Sequence, residues 1–68
     1  MEELVGKQRM HEGDITINNV ICHFELYLDP NEPGNCRILV LNRPGKDAVI
    51  TEYDSDKEDA HEVIKRLI

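Results

Sequence analysis

Three histidines (His11, His23, His61) and two cysteines (Cys22, Cys36) are the side chains of this 68-residue sequence best suited to hold a metal or carry nucleophilic chemistry. Their spacing supports neither use. There is no C-x2-C or H-x3-H pair to suggest structural zinc. On a strand, the adjacent Cys22 and His23 would point to opposite faces. His23 and Glu25 sit at i and i+2, so a strand would put a base and a carboxylate on one face. A catalytic dyad also needs a nucleophile or second carboxylate inside a pocket, and so thin a domain has little room to enclose one. The expectation is a protein that is not an enzyme, with no catalytic residue, resident metal or cofactor.

Two acidic stretches invite a cation. Asp29-Pro30-Asn31-Glu32-Pro33-Gly34 echoes the opening of a calcium loop. The echo fails at Pro33, its fifth position, and at the twelfth, where Val40 replaces a bidentate glutamate. A turn is the better reading. Glu52, Asp54, Asp56, Glu58 and Asp59 crowd one short segment with only Lys57 among them. Helix capping and dipole roles account for much of that crowding. The second choice is a metal- or small-ligand-binding domain that uses segment 52–59 or the His23 and Glu25 pair.

Fourteen acids against eight bases give a formal charge of −6. Arg37, Arg43, Lys46, Lys65 and Arg66 are scattered, so no basic patch forms for phosphate, and nucleic acid is not an expected partner. No apolar run reaches the roughly 18–20 residues of a membrane span, and Met1-Glu2-Glu3 lacks the basic and apolar regions of a signal peptide. No membrane partner and a cytoplasmic location are expected. Two cysteines are too few for the disulfide framework of a small secreted domain.

Any such chemistry needs a scaffold, and the scaffold is legible as α+β. Ser55-Asp56-Lys57-Glu58 has the form of a capping box. Beyond it Ala60, Val63, Ile64, Leu67 and Ile68 form one apolar stripe at helical period, which predicts a helix over 55–68. Residues 1–13 read as an N-terminal arm, flexible or a short helix, and residues 14–68 as one compact domain. Ile15 and Ile17 alternate with polar neighbours, and Asn18-Asn19 suits a type I′ hairpin turn that places Ile17 opposite Val20 and Ile15 opposite Cys22. A second strand over 20–28 is followed by a turn-rich break. A third spans 36–41, Pro44-Gly45 makes another turn, and a fourth runs over 47–53. The prediction is a four-stranded antiparallel meander with a C-terminal helix on one face, ββββα.

For the third strand the reading sets Leu28 opposite Cys36, Leu26 opposite Ile38 and Phe24 opposite Val40, which turns Ile38 and Val40 towards the helix. Cys22 and Cys36 then lie roughly 20 Å apart at about 3.3 Å per residue, too far for a disulfide, and both are expected to be buried free thiols. The opposite face would carry Ile21, Tyr27, Leu39, Leu41, Ala48 and Ile50 among His23, Glu25, Arg37, Thr16 and Glu52. A sheet wet on one side alternates more cleanly than Ile38-Leu39-Val40-Leu41 allows. Either the arm folds over this second face, or the face is an interface. With so small a core, burying only about 60% of the unfolded chain's surface, the interface is the preferred reading. The expectation is a small acidic protein-interaction module: a regulator, inhibitor or assembly subunit that binds another protein or itself as a homodimer. Tyr27, Arg37, Leu39, Leu41, Ile50 and Glu52 are its candidate contact residues, with a strand edge as the other route to a partner.

Overall fold

Asn18 and Asn19 hold φ at 53° and 66°, the positive values a type I′ turn needs at both central positions. That turn fixes the register of the hairpin around it: Ile17 pairs with Val20 and Ile15 with Cys22, as the sequence implies. In the computed structural model, which describes residues 5–32 and 34–67, the hairpin begins an α+β fold. It contains β1 (Gln8–Ile17), β2 (Val20–Leu28), β3 (Cys36–Asn42), β4 (Val49–Asp54) and α1 (Ala60–Leu67). The strands form one open antiparallel sheet in the order β1-β2-β3-β4.

The first correction concerns the N-terminus. Residues 8–13, read from sequence as part of an arm, are the first half of β1 and pair with β2 as far as Leu28. A bulge between Arg9 and His11 absorbs one residue, Met10, and keeps the register beyond it. Gly13 lies opposite Phe24 inside the strand. The Phe24 ring comes within 3.4 Å of where a glycine-13 Cβ would stand, and it meets the His11 ring at a centroid distance of 5.7 Å. Met1 to Leu4, the rest of that arm, lie outside the described residues.

The second correction concerns β3. Phe24 pairs with Leu41 and Leu26 with Leu39, one residue out of the expected register, so the whole strand is turned over. Leu39 and Leu41 point to the helix and are 0% exposed, at the centre of the core with Cys22, Phe24, Tyr53, Val63 and Ile64. Burying a leucine fully contributes about 1.5–3 kcal/mol, which makes this pair a major anchor of a small core. β4 keeps its expected orientation, with Val49, Thr51 and Tyr53 opposite Leu41, Leu39 and Arg37 on the helix side. Its turn places Pro44 and Gly45 at the centre, Gly45 at φ 71°, closed by Lys46 N–H donating to the Arg43 carbonyl at 3.2 Å. That is the type II arrangement.

The third correction concerns α1, which begins at Ala60 rather than Ser55. The Asp54 carbonyl accepts from the backbone N–H of Lys57 and Glu58, and its carboxylate accepts from that of Asp56 at 2.8 Å, so residues 54–58 form a turn. Asp59 is the N-cap, with its side chain accepting from His61 N–H and its carbonyl from Glu62 and Val63 N–H. The apolar stripe is as read: Val63 and Ile64 are buried, while Ala60 and Leu67 pack beside them. Ile68 lies outside the described residues.

Candidate functional site

With β3 turned over, the sheet face away from α1 has a different membership. Tyr27, Ile50 and Glu52 belong to it, as expected. Arg37, Leu39 and Leu41 do not, since they share the helix-side face with Phe24, Leu26 and Tyr53. Leu39 and Leu41 are sealed in the core and offer nothing to a partner. Arg37 donates to the carbonyls of Gly34 and Cys36, which holds its guanidinium at the rim beside the loop. Arg37 stands opposite Tyr53, while Glu52 stands opposite Ile38 on the other face. In place of the three corrected residues the second face gains Cys36, Ile38 and Val40, residues that sequence reasoning had put on the other side.

Ile38 and Val40 are only 5% and 1% exposed, although α1, the helix of the described residues, lies on the other face. Glu25 and Tyr27 of β2 flank them on one side, Ile50 and Glu52 of β4 on the other. Ile21, further along β2, is largely exposed. Cys22 and Cys36 are free and point to opposite faces; Cys22 is buried and Cys36 only partly so. Burial raises the Cys36 thiol above its usual range, with nearby Glu52 adding to the effect.

The richest chemistry on this face is on the first hairpin. Glu12 stands directly opposite Glu25 and Asp14 directly opposite His23, so four ionisable side chains form a two-by-two block. The His23 ring contacts Asp14 through Nδ1 at 2.9 Å and Glu12 through Nε2 at 3.5 Å. Since a carboxylate only accepts, Nδ1 carries the proton donated to Asp14. That hydrogen bond raises the His23 pKa above the usual histidine value, against an opposing desolvation, and the charges of Asp14, Glu12 and Glu25 reinforce it. Tyr27 donates its hydroxyl to Glu25 at 3.1 Å, and burial together with that bond raises the phenol's pKa. Arg9 Nη1 lies 3.5 Å from Glu12 and 3.6 Å from Glu25, bridging the facing carboxylates.

His23 and Glu25 were visible from sequence as a pair on one strand face; Glu12, Asp14 and Arg9 were not. The signal was available. Carrying the Ile17–Val20 register five residues back along β1 sets Glu12 against Glu25. The acidic segment 52–59 is otherwise engaged: Asp54 holds a turn, Asp59 caps α1, and Glu58 pairs with both terminal nitrogens of Arg66. Arg66 keeps the Glu58 carboxyl below its ordinary range. Among the described residues no helix is long and apolar enough to cross a membrane. Comparison with protein families, with curated proteins and with solved structures finds no match to this chain.

Proposed function

We propose that the chain is a small, non-enzymatic interaction module that binds a protein partner, itself or another, through the sheet face opposite α1. The supporting observation is β3. Ile38 and Val40 face away from α1 and are already buried within the single chain, so what this face offers a partner is the less buried apolar side chains around them. α1 packs on one side only. Tyr27 and Ile50 border Ile38 and Val40, the exposed Ile21 stands further along β2 beyond His23 and Glu25, and Arg9, Glu25 and Glu52 add charge around them. An apolar centre with a polar rim is the anatomy of a protein interface.

The charge of −6 favours a basic protein surface over nucleic acid as the partner. The free thiols suit a reducing compartment such as the cytoplasm. Sedimentation velocity and affinity capture from the source cells, run on the wild type and on Ile21→Lys and Ile50→Lys variants, test the reading. Association or capture that the lysines abolish, with the thermal melt intact, supports it. A wild type that stays monomeric and captures nothing, or capture indifferent to both lysines, overturns it.

A further inference from the structure

We propose that Glu12, His23 and Glu25 form a binding site for a divalent transition-metal ion of the zinc class, with Asp14 as the residue that orients the histidine. The argument for the site does not rest on the interface reading above, although the two share a sheet face and the residues Arg9 and Glu25. Each of the three side chains offers one ligand atom, and these atoms lie within 4.8 Å of one another. Zinc holds nitrogen and oxygen ligands at about 2.0–2.1 Å, which sets tetrahedral neighbours about 3.3 Å apart. His23 Nε2 and Glu12 Oε2, at 3.5 Å, are already near that spacing. The remaining closure is within the reach of two glutamate side chains, of which Glu12 is half-exposed.

The support around the ligands distinguishes this block from an ordinary charged strand face. A metal-ligating imidazole typically donates its other nitrogen to a carboxylate, which fixes the tautomer and aims the free nitrogen. Asp14 makes that contact at 2.9 Å, leaving Nε2 turned towards the glutamates. Tyr27 plays the corresponding part for Glu25. Two carboxylates directly opposite each other on a sheet repel, so the Glu12–Glu25 pair costs stability unless a cation lies between them. Arg9 supplies one, but at 3.5 and 3.6 Å its guanidinium stands outside good hydrogen-bonding distance of both. Its side chain is 54% exposed and free to swing away as an ion enters. One imidazole with two carboxylates selects zinc, cobalt or nickel over calcium and magnesium, and two negative ligands balance the ion's charge. Solvent access leaves the fourth position to water.

The test is calorimetric titration of the full chain, freed of metal by chelator, with zinc in mildly alkaline buffer. A parallel cobalt titration is read by visible absorption. The expected result is saturable binding of one ion per chain with a tetrahedral cobalt band. His23→Ala and Glu25→Gln should abolish it, and Asp14→Asn should weaken it roughly 10- to 100-fold, as loss of an orienting carboxylate typically does. Arg9→Gln should tighten it, the opposite of what a purely structural role for the cluster predicts. Glu12→Gln, at an exposed position, serves if His23→Ala fails to fold. Absence of saturable binding in the micromolar range overturns the proposal. So does binding that survives both His23→Ala and Glu12→Gln, which would place the ion elsewhere, for example at Cys36 and Glu52.

Discussion

Lys7 Nζ lies 2.9 Å from a carboxylate oxygen of Asp29, tying the entrance of β1 to the loop that leaves β2. The same Asp29 carboxylate accepts from Asn31 N–H at 2.9 Å. Asp29 is the buried charged residue of the described chain, and both its contacts favour the ionised form. The Asn31 hydrogen bond first, and Lys7 after it, lower its pKa below the ordinary 3.8.

This pair gives folding stability a defined acid dependence. A carboxylate whose pKa is lower folded than unfolded contributes fully above the unfolded value, and that contribution disappears as pH falls through the folded one. The stability gap between wild type and Asp29→Asn should therefore be constant from neutral pH down to about 5 and close progressively below the ordinary aspartate value. Asp54 and Glu58 are lowered in the same direction, so the wild type alone would blend three contributions and the difference isolates one. Urea unfolding at a series of pH values measures it. A gap that widens on acidification would show that Asp29 is not stabilised as a carboxylate.

Asp59, and not Ser55, starts α1. Replacing an aspartate cap by alanine typically costs about 0.5–2 kcal/mol, so Asp59→Ala should lower stability by about 1 kcal/mol. Ser55→Ala should change it little, because Ser55 is held by its backbone N–H donating to the Asn35 carbonyl at 2.8 Å, which alanine retains. Chemical denaturation of the two variants distinguishes the caps. Equal losses would restore the helix start to Ser55.

Which parts of this fold could be read from sequence follows from how each register is set. The Asn18-Asn19 turn is two residues long, so it determines parity, and the pairs around it come out correctly. The 29–35 connection is longer and contains its own turn at Asp29, so it cannot pass a register from β2 to β3. β3 then offers no phase of its own, since Ile38 and Val40 are as apolar as Leu39 and Leu41. Arg37 lies in phase with the leucines, so turning them to the core brings a charge onto the same face. The chain resolves that conflict by carrying the guanidinium to the Gly34 and Cys36 carbonyls while the leucines stay inside. The helix start failed for a related reason, because Ser55-x-x-Glu58 and Asp59-x-x-Glu62 are both cap signals and local pattern alone does not rank them. Gly13 reads as a break in the sequence, whereas it continues β1 between Glu12 and Asp14, opposite Phe24.

The two faces of β3 and β4 should respond oppositely to lysine. Leu39→Ala, which leaves a cavity at a fully buried site, should cost about 2–5 kcal/mol, and Leu39→Lys should unfold the domain by burying a charge. Ile50→Lys, on the half-buried second face, should leave the melt close to wild type. Thermal unfolding followed by circular dichroism makes the comparison. A folded Leu39→Lys protein would mean that β3 is turned the other way.

The Asn18-Asn19 turn supplies the last prediction, because the hairpin it closes carries Glu12, Asp14, His23 and Glu25. A residue other than glycine or asparagine in the left-handed region costs roughly 1–2 kcal/mol, and a β-branched one is the worst suited. Asn19→Val should therefore destabilise the protein by about that amount, and Asn19→Gly should stabilise it, since Asn-Gly is the preferred type I′ pair. The same backbone sets the distance from His23 to Glu12, so a loosened turn should also weaken zinc binding while the glycine variant retains it. Denaturation and zinc titration of both variants read the two effects separately. If Asn19→Val keeps full stability and full affinity, the turn does not govern the register that assembles the site.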